Sequence, residues 1–532
     1  MVDPAEDQEN GNFAVQHLPY LLMIRFYYLL AGLLFCAATT LPGQTPNRPA
    51  PNGIPAYTFV LHDSTYQGYY LTTPFDLGAV AGDLPAPAMV LDSKGYLLWY
   101  MLVHARNLLD FKFDPGQQVY QYIKFQNPQQ VQCVLLDTGF NPVDSFTTTN
   151  GILPDVHDFQ ITKNNTFLVA GASDSLMDLH AYLFGATPGS DTTHAIGFVV
   201  QEFDAGHNLL FQWNSNDYIH PGQTYAGYGY NPGAFDYCHG NAIEEDYDGN
   251  LLLSFRNLNA VYKVDRHSGE VLWQLGGNAS SFQFTNDPGF SGQHDVRRLP
   301  NGHISIFDNA NQASPPRISR AVEYQLDTVN HTATRVWEYR YAPGFFSSAM
   351  GNHQVTADRR HLINYGLNFR PDPSFVLIDD AKNPIAELFF PDSFMSYRSF
   401  LYDLPLGQLE RPAISCAQNG GVVTLSAPPG FANYAWSTGE SGASIQVQGA
   451  GTYQVWVSHG LGMLGSEPLV VADPNAACPV SGVSAPVGGG EPTIVAYYDL
   501  LGRAVAPPQR GSFQGRLYAV RFSDGSVRVK AY

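Results

Sequence analysis

The sequence predicts an all-β fold, and its composition, its lack of long polar helices and an internal repeat support that prediction. The chain has 532 residues, among them 50 Gly and 37 Pro. Aromatic residues make up 13% of the chain and charged residues only 14%. Such a composition is typical of many short strands joined by tight turns rather than of long surface helices. The length predicts several domains.

One pattern recurs six times: an apolar strand, an aspartate, a short turn and a second apolar strand. Its aspartates are Asp92, Asp137, Asp204, Asp265, Asp327 and Asp379, spaced 45 to 67 residues apart. The second strand ends in tryptophan in four copies, at Trp99, Trp213, Trp273 and Trp337. A second hairpin precedes most copies, so each repeat predicts one four-stranded blade of a six-bladed β-propeller. We expect the aspartates to cap turn amides and the tryptophans to pack between blades.

The start of the chain predicts export. An apolar run over residues 26–38 follows Arg25 and is too short to span a bilayer, so residues 1–44 are interpreted as a signal peptide. Acidic residues precede this run, and translation from Met23 would remove them, so we expect Met23 to be the true start. The protein is therefore expected to be secreted or at the cell surface, or otherwise periplasmic. A net charge of −19 excludes nucleic acid and anionic membrane surfaces as natural partners.

The predicted propeller occupies residues 45–410, and the sequence changes character after it. Residues 411–478 predict a small β-sandwich similar to immunoglobulin-like modules, with a disulfide between Cys416 and Cys478. Residues 479–492 form a Gly/Pro/Ser linker, and 493–532 a short β domain. That last domain is similar to type IX secretion sorting domains, which implies the type IX machinery as a partner. For Cys133 and Cys238, a bond and free buried thiols both remain open.

Four histidines stand at the start of the first strand of a predicted blade: His157, His239, His294 and His353. Equivalent positions of successive blades converge on the axis of a propeller, and Asn241 and Arg256 lie close to His239 in sequence. A single histidine at such a position is more often structural. Four at one level favour a ligand site at the mouth of the channel.

The residue types at this site favour an oxyanion ligand. Asp158 and Asp295 directly follow two of the histidines, and on an extended strand we expect them to point away from the axis. The site then lacks the two acids of glycoside hydrolysis. Converging histidines suit a transition metal, but the charge of Arg256 would repel a divalent cation. Arginine, amide and protonated imidazole donors suit an oxyanion instead, with no metal and no cofactor.

Several motifs together resemble the aryl sulfate sulfotransferase family. They are the run from His239 to Asn257, the stretch from Val261 to Gly277 with Trp273-Gln-Leu-Gly-Gly, Gln293-His-Asp-Val-Arg-Arg-Leu-Pro-Asn-Gly302, and Ser319-Arg-Ala-Val-Glu-Tyr324. The resemblance extends from about residue 57 to 401. It implies a six-bladed propeller that moves a sulfuryl group from a phenolic sulfate ester to another phenol, without a nucleotide donor. The implied partners are a small-molecule aryl sulfate and a phenol.

The resemblance also implies roles for individual residues. His294 is similar to the nucleophile that becomes transiently sulfated in a ping-pong reaction. His239, Asn241 and Arg256 resemble the groups that hold the sulfuryl oxygens, and His157 is assigned to proton transfer at the phenolic oxygen.

Two further residues and two further functions stay open. Arg320 and His353 are candidate substrate-binding residues without an assigned role. The chain could alternatively be a non-catalytic propeller that binds sulfated or phenolic ligands. A metal-dependent hydrolase is a third possibility, and chelator would abolish its activity.

Overall fold

The computed structural model describes residues 48–473 except 77–84, 226–227, 368–371, 392, 405, 407–408 and 420, and four strands after residue 493. The predicted signal peptide, the start at Met23 and the linker lie outside the described residues. Where the chain is described, the helices are one short α-helix, α1 (Ser215–Tyr218), and the 3-10 turns Pro221–Gln223 and Arg256–Leu258. None of them has the length and apolarity needed to cross a membrane. The prediction of an all-β fold is confirmed.

The strands up to residue 402 are β1 (Thr58–Leu61), β2 (Tyr69–Asp76), β3 (Ala86–Leu91), β4 (Leu97–Val103), β5 (Asn107–Asp114), β6 (Val119–Asn127), β7 (Gln130–Leu136), β8 (Pro142–Phe146), β9 (Leu153–Ile161), β10 (Phe167–Met177), β11 (Leu183–Phe184), β12 (Thr187–Pro188), β13 (Thr193–Phe203), β14 (Leu209–Asn214), β15 (Gly240–Glu245), β16 (Leu251–Phe255), β17 (Ala260–Val264), β18 (Val271–Gly276), β19 (Gln283–Phe284), β20 (His294–Arg298), β21 (Ile304–Asp308), β22 (Arg320–Asp327), β23 (Thr332–Tyr339), β24 (Asn352–Val355), β25 (His361–Asn364), β26 (Phe375–Ile378), β27 (Pro384–Phe389) and β28 (Phe394–Tyr402).

The later strands are β29 (Ser415–Asn419), β30 (Val422–Ser426), β31 (Tyr434–Trp436), β32 (Ser444–Gln446), β33 (Gly451–Tyr453), β34 (Val455–His459), β35 (Gly462–Gly465), β36 (Leu469–Val471), β37 (Ile494–Tyr498), β38 (Ala504–Val505), β39 (Leu517–Phe522) and β40 (Val527–Ala531).

Strands β1–β28 build six sheets of four or more strands within the described residues. Sheet 1 has the order β28-β2-β3-β4, sheet 2 β5-β6-β7-β8, sheet 3 β9-β10-β13-β14, sheet 4 β15-β16-β17-β18, sheet 5 β20-β21-β22-β23-β19 and sheet 6 β24-β25-β26-β27-β1. All pairs are antiparallel except β19 with β23. Early and late segments meet in two sheets, where Tyr70 pairs with Leu401 and Phe59 with Leu388.

One edge strand of each sheet contacts an edge strand of the next sheet. These inner strands are β28, β5, β9, β15, β20 and β24, and each contacts its successor, with β24 contacting β28 again. The apolar core lies between neighbouring sheets. Between sheets 3 and 4, for example, Phe198 meets Phe255 edge to face at 5.9 Å between ring centroids. The inner strands therefore come together at a common centre.

The repeated aspartates lie in the turn between the third and fourth strand of each repeat, and they cap it as expected. The carboxylate of Asp204 accepts the backbone N–H groups of Gly206 and Asn208, both at 2.9 Å. The corresponding carboxylates of the other repeats, Asp92, Asp137, Asp265, Asp327 and Asp379, accept turn amides in the same way. Three of the tryptophans contact the neighbouring sheet: the indoles of Trp213 and Trp337 donate to the carbonyls of Gly269 in sheet 4 and Asp380 in sheet 6, and Trp99 stacks on Phe140 of sheet 2. Both structural expectations are confirmed.

Two compact units divide the chain, and the first includes residues 427–445 and 452–468 in addition to everything before residue 415. In that unit β35 pairs with β4, with Leu464 opposite Trp99, and so extends sheet 1. The second unit contains the hairpin β29–β30 and the sheet β38-β37-β39-β40. The predicted boundaries at 410/411 and 478 stay predictions.

The cysteines that can be described answer part of the open question. Cys133 and Cys238 are free and buried, so the alternative of free buried thiols is the one found. Burial raises the pKa of Cys238 to about 12. Cys416 is disulfide-bonded, and its expected partner Cys478 lies outside the described residues.

The centre between the inner strands contains a completely buried arginine, Arg398 on β28. Its guanidinium donates to Asp110 at 2.8 Å and to the backbone carbonyl of Asn241 at 2.6 Å. It also lies 3.3 Å from the carboxylate of Asp158 and 3.5 Å from that of Asp295. Arg398 therefore connects β28 with β5, β9, β15 and β20.

The expectation that Asp158 and Asp295 point away from the centre is wrong. Both carboxylates are buried and share Arg297 as a second cationic partner, at 3.0 and 2.8 Å. A bulge interrupts the alternation of β20 between His294 and Arg297, and Asp295 has a φ of 58°. Strand alternation holds only for regular backbone, so this bulge turns the Asp295 side chain inward.

We predict that Arg398→Met lowers the free energy of unfolding by about 3–5 kcal/mol, because it removes the cation that three buried carboxylates share and leaves their charge only partly compensated. Chemical denaturation followed by circular dichroism measures the change. Arg340→Met is the matched control, since Arg340 is largely exposed, and we expect it to change stability by less than about 0.5 kcal/mol. Equal effects of the two substitutions would contradict a central role for Arg398.

Candidate active site

His294, the first residue of β20, is held in one tautomer. Its side chain is buried, and its Nδ1 lies 2.8 Å from the side-chain oxygen of Asn309 and 3.1 Å from the carbonyl oxygen of Gly292. Two oxygen acceptors require the proton on Nδ1. Consistently, Nε2 accepts the backbone N–H of Met350 at 3.1 Å. The free electron pair of the imidazole is therefore on Nε2.

Asn309 is a site residue that sequence reasoning missed. Its amide nitrogen donates to the carbonyls of Ser347 at 2.9 Å and Met350 at 3.0 Å, which turns its oxygen toward His294. The repeats contain a pattern that could have identified Asn309. Asn309 stands two residues after Phe307, which pairs with His294, just as Asn257 stands two residues after Phe255 in the preceding repeat.

His157 and His239 lie side by side, with ring centroids 4.9 Å apart and rings nearly perpendicular. Each has its Nδ1 on a carboxylate from its own local segment: Asp155 at 2.7 Å and Asp236 at 2.5 Å. The same two carboxylates also accept the backbone N–H of their histidine. Both acids were missed, although an aspartate two or three residues before a histidine is a visible local signal.

The electrostatics of the site keep His294 uncharged. Burial lowers the pKa of His294 well below its usual value, and the nearby Arg256, His239 and His157 lower it further. For His157 burial acts in the same direction, but the charge of Asp155 outweighs it and the pKa is raised. The structure thus brings His157, His239, Arg256 and His294 together, and it sets an uncharged imidazole at His294 beside the cationic Arg256 and a His157 that favours its charged form.

Arg256 has an unused donor. One terminal nitrogen donates to the side chain of Asn257 at 2.9 Å, and the guanidinium carbon lies 4.9 Å from the ring centre of Tyr228. Its Nε is buried and has no hydrogen-bond partner among the described residues. Buried donors in proteins are normally satisfied, so this nitrogen fits an oxygen of a bound anion.

Asn241 makes a structural contact beside the site. Its amide nitrogen donates to the carbonyl of Gln293 at 2.7 Å and so supports the residue before His294. Its side-chain oxygen is buried without a hydrogen-bond partner in the described chain. An oxygen cannot donate to a sulfuryl group, so the observed orientation assigns Asn241 a positioning contact.

Arg320 and His353 have partners elsewhere. The guanidinium of Arg320 is buried and bound by the carboxylates of Asp287, Asp308 and Glu338 at 2.6 to 2.9 Å. The ring of His353 bonds to His361 and stacks on an indole of sheet 5. Neither side chain contacts His157, His239 or His294.

Residues 126–370 match the family model of arylsulfotransferases, described as Arylsulfotransferase (ASST). His157, His239, His294 and His353 fall inside this range, as do Arg256 and Asn309. The resemblance inferred from the motifs is confirmed for this part of the chain, and it supports arylsulfotransferase activity at the level of the family.

The other comparisons add no further identification. No curated protein matches the chain. Among solved structures, a protein of unknown function from Bacteroides caccae is 10% identical, with a TM-score of 0.40 and coverage of 64% of this chain and 100% of its own. The periplasmic gluconolactonase of Pseudomonas aeruginosa is 11% identical, with a TM-score of 0.34 and coverage of 77% and 100%. TolB from Acinetobacter baumannii is 9% identical, with a TM-score of 0.33 and coverage of 62% and 67%.

We predict that His294 stays neutral through its usual titration range, and that Arg256→Met raises its pKa. The positive guanidinium disfavours the charged imidazole, so its removal must favour protonation. NMR of protein with labelled histidine measures both pKa values. Arg340→Met is the control that leaves the titration of His294 unchanged. An unchanged pKa in Arg256→Met would contradict the electrostatic coupling.

Proposed function

We propose that this protein is an aryl sulfate sulfotransferase that works through a sulfo-histidine at His294, without a nucleotide donor or a cofactor. The observation that carries the proposal is the tautomer of His294. Its Nε2 carries the electron pair, which accepts only a backbone N–H, and the charge of Arg256, whose Nε donor is unused, acts on the same ring. A neutral nucleophile beside an anion-binding arginine suits attack on a sulfate ester.

The first half-reaction forms an N–S bond and breaks the S–O bond of the ester. Nε2 of His294 attacks sulfur while Arg256 and His239 neutralise charge on the sulfuryl oxygens. The backbone N–H of Met350, which donates to Nε2 of His294 in the structure, loses this acceptor and becomes a further donor for the sulfuryl oxygens. The phenolic oxygen leaves with the bonding electrons and takes a proton from His157, whose charged form Asp155 stabilises.

The second half-reaction reverses these steps with an acceptor phenol. The amide oxygen of Asn309 cannot take the Nδ1 proton, so the sulfated ring stays an imidazolium and neutral imidazole is its leaving group. His157 removes the proton of the acceptor, the phenolic oxygen attacks sulfur, and the N–S bond breaks. One difficult transfer is thereby divided into two easier ones.

The same proposal includes the architecture and location of the chain. The cyclic contacts of the inner strands support a propeller with six blades formed by sheets 1 to 6. Export through the predicted signal peptide, an immunoglobulin-like module over 411–478 and type IX sorting by residues 493–532 follow from the sequence patterns alone.

The experiment mixes purified protein with 4-nitrophenyl sulfate and a phenol acceptor in the presence of chelator. We predict acceptor-dependent release of nitrophenol, with a loss of about 10⁴-fold or more in His294→Ala. Arg256→Met should lower the rate by about 10²–10³-fold, as expected for an oxyanion donor. His267→Ala, at an exposed turn, is the matched control and should keep full activity.

Without acceptor, the intact protein should gain one sulfuryl group on the peptide that contains His294, and a phenol should remove it. Binding of aryl sulfates without turnover would favour the non-catalytic propeller. Turnover that chelator abolishes in folded protein would favour the metal-dependent hydrolase.

We also predict the pH dependence of the first half-reaction. His157 must be protonated, and its folded pKa is raised above 6.5, so activity is lost as the pH rises through that pKa. His294 must be neutral, and because its pKa is well below 6.5, activity does not fall when the pH drops to 6.5. Asp155→Asn removes the charge that raises the pKa of His157 and shifts the alkaline limb to lower pH.

The measurement is kcat/KM against pH with phenyl sulfate, whose poor leaving group needs a proton. Asp178→Asn is the matched control, because Asp178 bonds the exposed His180 in the same way. An alkaline limb that shifts equally in both variants, or in neither, would contradict the role of His157.

A further inference from the structure

A second cluster of histidines lies apart from the contacts of His294. Glu323 on β22, His353 on β24 and His361 on β25 place their ligand atoms within 4.8 Å of one another, and all three side chains are buried. Nε2 of His353 is 3.0 Å from Nδ1 of His361, and that Nδ1 is 3.8 Å from Oε1 of Glu323. Two strands of sheet 6 and one strand of sheet 5 thus converge on one point.

We propose that Glu323, His353 and His361 bind a divalent transition-metal ion, Zn²⁺, which joins sheets 5 and 6. Tetrahedral zinc with bonds of about 2.0–2.2 Å needs ligand atoms roughly 3.4 Å apart. The distances of 3.0 and 3.8 Å lie on either side of that value. Two imidazoles and one carboxylate supply three zinc ligands, and a water molecule enclosed with the ion would supply the fourth.

The tautomers support this assignment. Nε2 of His361 is 3.1 Å from Asp380, which accepts its proton, so the inward Nδ1 carries the electron pair that faces His353. A carboxylate behind a ligand histidine is a recurrent arrangement in zinc sites, because it orients the ring and strengthens the ligand.

Glu323 directs a buried oxygen toward the cluster. Its Oε1 makes no hydrogen bond in the described part of the chain, although the charge of Arg359 lies close to it. Arg359 forms an ion pair with Glu323 at 3.0 Å and neutralises one of the two carboxylates, Glu323 and Asp380. One negative charge remains to balance a cation. The indole of Trp337 covers one face, stacked on His361 at 3.9 Å and an angle of 4°.

The position of the cluster indicates a structural ion. Its ligands do not include any residue assigned above to sulfuryl transfer, and all three ligand side chains are buried. An ion that binds only the folded chain raises its stability in proportion to the logarithm of ion concentration. The inference is independent of the proposed function, because metal content and stability test it without any substrate.

The test uses the full chain, treated with chelator, desalted and dialysed against excess Zn²⁺. We expect one bound zinc per chain by mass spectrometry of the metal, and a Tm that rises with Zn²⁺. Glu323→Gln and His361→Gln should each lose the bound zinc and the zinc-dependent rise in Tm, whereas the exposed-site variant His267→Ala should keep both. Co²⁺ in place of Zn²⁺ should give the visible absorption of a tetrahedral site, and the two ligand variants should lack it.

Wild-type protein that folds but retains no stoichiometric Zn²⁺ or Co²⁺ overturns the proposal, and the cluster is then a hydrogen-bonded network. Zinc that is retained at one per chain in both ligand variants also overturns it, since the ion then binds elsewhere. Measurements on wild type alone decide the first outcome, so a ligand variant that fails to fold does not leave the question open.

Discussion

The compensation of one buried charge, the guanidinium of Arg398, is the constraint on which the centre of this protein depends. A buried cation is tolerated only when carboxylates and carbonyls surround it, and here they come from four other inner strands. Three of these four contacts lie next to the site in sequence: Asp158 follows His157, Asp295 follows His294, and Asn241 is two residues after His239. The network that satisfies Arg398 therefore also sets where the histidines stand.

His294 and His157, next to this network, differ in charge because their hydrogen-bond partners and neighbouring charges differ. Burial and the neighbouring charges lower the pKa of His294 and favour a neutral ring, and they outweigh the hydrogen bond to Asn309, which acts in the opposite direction. His157 has a carboxylate partner that favours the charged ring despite burial. An uncharged nucleophile next to cationic groups is the division of roles that transfer of an anionic group requires. His353 and His361 show a third case, in which neutral rings face each other and a carboxylate.

Local chemistry was predictable from the sequence, and long-range partners were not. The aspartate turns depend on residues within four positions of one another, so their spacing was enough to identify them. The histidines were located at the right strands for the same reason. Asp110, which accepts a hydrogen bond from Arg398, is 288 residues away from it along the chain. No pattern in the sequence indicates this contact. Arg320 and His353 have the residue types of a binding site, but carboxylates and a histidine from neighbouring segments use their polar atoms.

By itself, the sequence determined the all-β class, the six repeats, the turn chemistry and the motifs that resemble arylsulfotransferases, because strand alternation and turn capping act over a few residues. Only the tertiary structure decided which nitrogen of His294 carries the proton. It also decided that Asn309 accepts the hydrogen bond from that nitrogen and that Asp295 turns inward at a bulge. The physical reason is that tautomers, pKa values and buried charges depend on atoms within a few ångströms. In this fold those atoms come from different sheets.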